Sequence, residues 1–396
     1  MFDILIIGAG PAGSNLARLL GNTTQYSVCI LEKRRLDLPE DPLRQKACGG
    51  LLSPDAQKIM AKLELSLPAS VLENPQIFKV RTIDFDNGLE RYYPRHYLNM
   101  NRERFDRYLF ELVPEAIDKR CGMVVKDIYA MDGYWEVHYK DYEGKMQIVQ
   151  AKFLVGADGA NSLVKRRCLP PANEDAGKGS KKYFSIQKWY PIDETLPYFT
   201  GIFDSTITDY YSWTIQKGNH LILGTAIPCD DDFGGAADAL FTKLKHKVSR
   251  HLGIALDEAD KTEGAFIERS QLQSDLCFSA SVKVMNGSRL PLALIGEAAG
   301  ATSPTSAEGF SYGLMTSLKL FKALKGGLKH AEKRYDLSCN SVRRNLMMKR
   351  FKSPAMYWPK LRGVVMASGL TAIKTEIESV STIETVKRAK TQLLNQ

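Results

Sequence analysis

The sequence predicts an α/β fold: a Rossmann-like nucleotide domain interleaved with a mixed antiparallel-sheet domain, then a helical C-terminal region. Three observations carry this. The apolar, β-branched run 2–7 passes directly into Gly8-Ala9-Gly10-Pro11-Ala12-Gly13 and a helical pattern over 14–20. Later runs alternate with a period of two and are punctuated by Asp86-Asn87-Gly88, Asp132-Gly133 and Glu143-Gly144, as hairpins require. Two further strand-like runs, 153–155 and 290–295, lead into glycine-bearing segments that hold Asp158 and Glu297.

The first segment is G-x-G-x-x-G between a strand and a helix, followed by a second strand, 26–31, that ends in Glu32. These are the parts of a dinucleotide fingerprint in register. Gly8 permits the tight turn, Gly10 lets a pyrophosphate approach the backbone, and Gly13 lets helix and strand pack closely. The helix N-terminus offers unpaired N–H groups and partial positive charge. Glu32 is placed to accept hydrogen bonds from ribose hydroxyls, with Lys33 beside it. An acid there disfavours a 2′-phosphate, so FAD or NAD is expected rather than NADP. The bland alternative is an ordinary strand-to-helix turn.

The length, 396 residues, fits two interleaved domains and a tail better than one small core. The nucleotide domain is expected at 1–75, 99–180 and 285–325, the second sheet at 76–98 and 181–284, and basic helices at 326–396. No stretch reaches the roughly 18 apolar residues of a membrane-spanning helix. The nucleotide-binding strand begins the chain, which leaves no room for a signal peptide. The expected location is cytoplasmic, with peripheral contact at the inner membrane face as a further option. Seven scattered cysteines form no C-x-x-C pair, so neither a metal site nor a disulfide framework is expected.

Charge is uneven. From Lys319 onward there are 17 Lys and Arg against 5 Asp and Glu, whereas the whole chain carries only +9. Such a region reads as a solvated helical face or a contact with anionic lipid. No nucleic-acid module accompanies it, and nucleic acid is not expected as a partner.

Ser53 and Pro54 signal a helix start after Cys48-Gly49-Gly50, and Asn101 another at 102. Paired glycines bring backbone close to a planar ligand. Cys48 taken alone is more often a small inert hydrophobe. The region 182–227 is rich in aromatics, which suits sheet core and also a pocket for a large apolar substrate.

Three separated pieces, GAGPAG with Glu32, VGADGANS at 155–162, and IGEAAG with P-x-x-x-E-G at 295–309, together resemble the flavoproteins of the p-hydroxybenzoate hydroxylase fold. The resemblance spans about residues 1–325 and implies a GR2-type FAD-binding domain. It implies that the first motif binds the ADP part and that Asp158 supports the nucleotide and an NAD(P)H path. Glu297 would contact the ribityl chain, with Gly296, Gly300 and Gly309 around it; Glu297 stands where Asp is usual. Arg102, in an Arg-x-x-Phe-Asp pattern, matches the arginine near the FAD pyrophosphate. Lys46-Ala47-Cys48-Gly49-Gly50 is similar to the C-G-G segment of the geranylgeranyl reductase branch. Tyr211-Ser212-Trp213-Thr214-Ile215 resembles its Y-x-W-x-F-P substrate motif, with Ile215 and Gln216 in place of Phe and Pro.

The resemblance implies an FAD-dependent oxidoreductase that reduces carbon–carbon double bonds of an isoprenoid or other prenyl lipid. Reduced flavin would deliver the hydride, with NAD(P)H or another transient donor, and Cys48 or Tyr211 would supply the proton. Tyr211 and Trp213 would pack against the isoprenoid; their bland role is sheet core. The alternative is a monooxygenase that hydroxylates an aromatic or polycyclic substrate through a C4a-hydroperoxide. The absence of W-x-W-x-I-P lowers the halogenase branch. A third class is an FAD-holding protein that binds a lipid or partner without turnover.

Overall fold

A computed structural model describes residues 1–40, 47–169, 180–229, 233–270 and 276–373. Lys46 and the end of the basic C-terminal region lie outside the described residues. The chain begins with β1 (Phe2–Ile7), α1 (Pro11–Thr23), β2 (Val28–Glu32), β3 (Leu51–Leu52), α2 (Pro54–Lys62), β4 (Ile77–Asp84), β5 (Leu89–Asn99), α3 (Arg102–Glu111) and β6 (Asp118–Cys121). It continues with β7 (Val124–Ala130), β8 (Trp135–Lys140), β9 (Met146–Gly156), α4 (Leu163–Cys168), β10 (Ser180–Pro191), β11 (Tyr198–Phe203), β12 (Ser212–Lys217), β13 (His220–Pro228) and α5 (Phe233–Leu252). It closes with β14 (Lys261–Ser270), β15 (Ser279–Lys283), β16 (Arg289–Leu294), α6 (Phe310–Lys325), α7 (Ala331–Ser338), α8 (Asn340–Lys352), α9 (Pro354–Tyr357) and α10 (Pro359–Ala367).

The first sheet runs β15-β16-β9-β1-β2-β6, with β7 and β8 attached beside β9. β1 pairs in parallel with both β2 and β9. Ile4 to Ile7 and all of β2 are buried, as expected for parallel strands covered on both faces. β9 is longer than its sequence pattern suggests. The runs 145–151 and 153–155 form one strand that pairs antiparallel with β8 through Met146–Ala151 and parallel with β1 through Ala151–Gly156. The change of partner at Ala151 splits the apolar pattern. A second difference concerns the domain boundary at 285. Ser279–Lys283 already pairs with β16 in the first sheet, so the return to that sheet comes before 285.

The second sheet runs β14-β10-β13-β12-β11-β4-β5-β3. It is antiparallel except where β11 runs parallel to β4. One face packs on α5, with Phe241, Leu244 and Val248 against Leu221, Leu223 and Ile227. The other face gathers Tyr183, Trp213, Ile215, Ile222 and Ala226 and turns toward the nucleotide domain.

Helix starts follow the sequence signals. Ser53 Oγ accepts the Ala56 N–H, and Asn101 Oδ1 accepts those of Glu103 and Arg104. α10 is held on the β4–β5 hairpin by the buried Arg362. Its Nε donates to Asp84 Oδ2 at 2.8 Å, and its Nη2 to Asp84 Oδ1 at 2.9 Å and to Asp86. Replacing Arg362 with Met leaves the Asp84 carboxylate buried without its cation, at a cost of about 3–5 kcal/mol. The urea unfolding midpoint checks this: Arg362→Met is expected to lower it strongly, and adding Asp84→Asn to recover part of the loss.

Candidate functional site

The Gly8–Gly13 turn leaves open space on its outer side and packs closely on its inner side. Gly8 has φ +104°, and a Cβ there would lie 2.5 Å from the Ala157 carbonyl oxygen. A Cβ on Gly13 would lie 1.9 Å from the Gly8 carbonyl oxygen. Both glycines are therefore imposed by backbone contact. Gly10 differs: a Cβ there would meet no atom within 4 Å. The N-terminus of α1 opens onto that space, with Pro11 in its first turn and no side chain capping it. Free N–H groups and the helix dipole there suit an anion.

Glu32 is buried beneath this turn. Its Oε2 accepts the Ala9 N–H at 2.7 Å, and its Oε1 accepts the Arg34 backbone N–H at 2.9 Å and Arg34 Nε at 3.1 Å. Oε1 is thus fully used, and Oε2 keeps lone-pair capacity for a hydroxyl. Lys33 is exposed and Arg34 is the basic residue that turns back. Arg34 links Glu32 to Glu103 and Asp106 of α3. The sequence analysis passed over it, because its partners lie about seventy positions away.

The second and third motifs meet the first. Asp158 lies against Gly8, but its carboxylate serves α4: Oδ1 accepts Ser162 Oγ at 2.6 Å, and Oδ2 accepts the N–H groups of Leu163 and Val164. Burial pushes the Asp158 carboxyl up, and these donors pull it back. Glu297 lies between Gly159 and Gly309. A Cβ on Gly309 would fall 2.9 Å from its Oε1, so the turn before α6 passes directly over the carboxylate. Gly296 lies beside Ala12 and Gly313, and its N–H donates to Thr316 Oγ1. Gly300 ends the short turn that begins at Gly296. α1 and α6 thus start side by side, tied by Asn15 Nδ2 donating to Ser317 Oγ at 2.7 Å.

The Cys48-Gly49-Gly50 segment joins this assembly to the second sheet. Gly50 has φ +61°, and a Cβ there would lie 2.2 Å from the Met100 carbonyl oxygen. Gly49 faces the end of the Ile215 side chain of β12, which a Cβ would have to push aside. Cys48 Sγ accepts the Gly50 N–H at 3.4 Å and faces Arg102 Nη1 at 3.8 Å. Arg102 is held by Asp106, with Nε donating to Oδ1 at 2.8 Å, and its guanidinium lies 4.7 Å from the ring centre of Phe310, the first residue of α6.

Alternate residues of the 211–217 segment face the site. The Tyr211 hydroxyl donates to the Ser306 carbonyl at 3.0 Å, and its ring lies 5.7 Å from that of Trp213. Burial pushes the Tyr211 phenol well above its ordinary value, so it keeps its proton. Trp213 Nε1 is buried with no hydrogen-bond partner among the described residues. Tyr357 of α9 closes the cluster: its ring lies 5.0 Å from that of Tyr210, and its hydroxyl donates to the Thr305 carbonyl. The structure therefore brings together Cys48, Gly49, Gly50, Arg102, Tyr211 and Trp213 around the start of α6.

No protein-family model matches the chain. The protein CbrA of Escherichia coli (strain CFT073) is 37% identical over 376 residues, covering 94% of each chain. This chain belongs to the CbrA family. Among solved structures, the family's fold matches a geranylgeranyl bacteriochlorophyll reductase-like protein of Thermoplasma acidophilum, with TM-score 0.74 and 16% identity, over 97% of this chain and 95% of that one. The flavin-dependent brominase Bmp2 matches with TM-score 0.63 and 19% identity over the full length of both chains. The fold is thus that of the flavoprotein oxidoreductases and hydroxylases.

The geometry adds Lys217 to the site of this CbrA-family protein. It ends β12 on the Trp213 face, and its buried ammonium donates to the carbonyls of Gly50 at 2.9 Å and Met100 at 2.7 Å and to Asn99 Oδ1. Its sequence signal was a cation at the position in step with Tyr211, Trp213 and Ile215, legible only once the strand's inner face is known. Burial pushes Lys217 down to about 7, while Cys48, Glu73 and Glu263 pull it back. Between about 7 and its ordinary value of 10.5, the unfolded chain binds the proton that the folded chain lacks. This group therefore makes stability rise with pH across that window. Unfolding midpoints from neutral to alkaline pH are expected to show a steeper rise in wild type than in Lys217→Met; parallel curves would contradict the assignment.

Proposed function

We propose that this protein is an FAD-dependent oxidoreductase that reduces carbon–carbon double bonds of an isoprenoid or other large apolar substrate. One observation carries the reading. The C-G-G segment and the aromatic face of β12 meet at the start of α6, beside a glycine cradle that leaves open space at Gly10. The residues present fit the cofactor. The Gly8–Gly13 turn and the α1 N-terminus would hold its pyrophosphate, Glu32 its adenosine ribose and Glu297 its ribityl hydroxyls, with the Cys48–Gly50 backbone toward its planar ring. Reduced FAD, when bound, supplies a hydride to one alkene carbon.

The chain must then supply a proton to the other carbon and keep water out. Tyr211 commits its O–H to the Ser306 carbonyl, which suits it to shaping the pocket. Cys48 Sγ faces donors, the Gly50 N–H and Arg102, and no acceptor for its own S–H is found among the described residues. We assign the proton transfer to the Cys48 side chain, which these donors fix beside the Gly49-Gly50 backbone. Tyr211, Trp213 and Tyr357 supply an apolar wall, where burial is worth roughly 25 cal/mol per Å² of substrate surface. A single dinucleotide fingerprint implies that the reductant, NAD(P)H or a protein donor, binds transiently.

The test is anaerobic. The flavin-loaded protein is reduced with dithionite and offered prenyl diphosphates and polyprenyl lipids while flavin absorbance is followed. Reoxidation without oxygen by an isoprenoid is expected. Stability toward all of them, with rapid reoxidation by air and hydroxylated product, would replace the reading with a monooxygenase. With the isoprenoid so found, Cys48→Ala is expected to lower kcat about 10²-fold with little change in KM, the size of a lost general acid. Tyr211→Phe is expected to raise KM and to alter kcat less than about tenfold; the reverse pattern would move the proton to Tyr211.

A further inference from the structure

The C-terminal helices carry apolar side chains on the faces turned away from the core. α8 buries Val342 and Leu346 inward. Its opposite face bears Met347, Met348 and Phe351, with Met348 55% and Phe351 74% exposed. At helical spacing these three fall within one stripe, opposite the buried pair. α10 repeats the arrangement. Arg362 and Met366 face inward, while Leu361, Val364 and Val365 face out, with Val364 68% exposed. Trp358, at the start of α10, is 64% exposed. An exposed apolar stripe along a helix, as on α8, marks an interaction site.

The exposed basic residues Arg344, Lys352 and Lys360 lie among these side chains. No helix of the described residues is long and apolar enough to cross a membrane. Apolar and aromatic side chains interspersed with Lys and Arg suit a bilayer surface, with rings at headgroup depth and cations on lipid phosphates. Residues 340–367 hold 7 Lys and Arg and no Asp or Glu, so the exposed Arg344, Lys352 and Lys360 have no acid beside them on these helices; this complements an anionic surface and opposes pairing with a second copy of the same charge.

We propose that α8, α9 and α10 form a docking surface for an anionic phospholipid bilayer, with Phe351 and Trp358 inserting and Lys352 and Lys360 facing the headgroups. The surface is continuous with the site. α9, between the two outward-facing stripes, sends Tyr357 inward onto Tyr210 and Phe203, with ring centres 5.0 and 6.0 Å apart. A lipid-borne isoprenoid could pass from bilayer to β12 along this route. That passage rests on the isoprenoid reading above; docking does not, and the experiment reads docking alone.

The full chain is sedimented with phosphatidylcholine vesicles, with and without about a third phosphatidylglycerol. Binding to the anionic vesicles is expected at least ~10-fold tighter than to the neutral ones, and weakened by salt. Phe351→Ser with Trp358→Ser is expected to lose at least ~10-fold in binding at an unchanged thermal midpoint, since both side chains are exposed. Lys352→Glu with Lys360→Glu is expected to lose the preference for anionic vesicles. The proposal is overturned if the wild-type chain stays in the supernatant, or if the Phe351→Ser, Trp358→Ser chain binds as wild type does. It is also overturned if these changes only dissolve a dimer seen by sedimentation velocity.

Discussion

Helix α1 leaves β1 so closely that no side chain fits between them, and the site depends on that approach. With a Cβ on Gly13 placed 1.9 Å from the Gly8 carbonyl, any other residue would push the helix away from the turn. The displacement would not stay local. Gly8 lies under Ala157 and Asp158, and Ala12 lies against Gly296 and Gly313. The three glycine-bearing motifs are thus one packing unit, assembled from the ends of β1, β9 and β16, the C-terminal edge where parallel α/β sheets place their ligands.

From that unit the structure reaches the second sheet through side chains of α3, β12 and the Cys48–Gly50 segment. Arg102 touches Asp106 on its own helix, Cys48 in the glycine segment and Phe310 at the start of α6. Lys217 bridges the same segment to Asn99 and Met100 from the far side. Arg102 and Lys217 therefore hold the Cys48–Gly50 segment from two sides. Gly50 has a second reason to be there: it has a positive φ and sits against the Met100 carbonyl, whereas Gly49 meets only the movable end of Ile215. The C-terminal helices close the remaining side. Arg362 anchors them to the β4–β5 hairpin, Tyr357 reaches into the aromatic cluster, and their outer faces remain apolar.

The glycine turn and its surroundings were legible in the sequence because their parts are local. Glycines, a strand, a helix start and an acid lie within about thirty positions, and the caps at Ser53 and Asn101 need only three or four. The same holds for the Asn87-Gly88 hairpin. What local pattern could not show is pairing at a distance. Arg34 and Lys33 are equivalent by composition, yet only Arg34 meets Asp106. Lys217 reads as a strand-end cation until Gly50, Asn99 and Met100 surround it. Tyr357 sits on a four-residue helix whose own sequence gives no sign of Tyr210. Strand β9 was split, because its pattern changes where its partner changes from β8 to β1. Asp158 was expected to support the nucleotide; it lies against Gly8, and its carboxylate caps the start of α4 by accepting from Ser162, Leu163 and Val164.

The contrast between Gly10 and Gly13 offers the most direct measurement. Gly10 faces open space and Gly13 faces backbone, so the same substitution separates ligand room from folding. Gly10→Val should purify as a folded chain, with the unfolding midpoint of the flavin-free wild type, and carry no flavin. Gly13→Val should fail to fold at all. A folded Gly10→Val chain that kept its flavin at wild-type occupancy would show that the cofactor does not lie on this turn, and the site would have to be sought elsewhere.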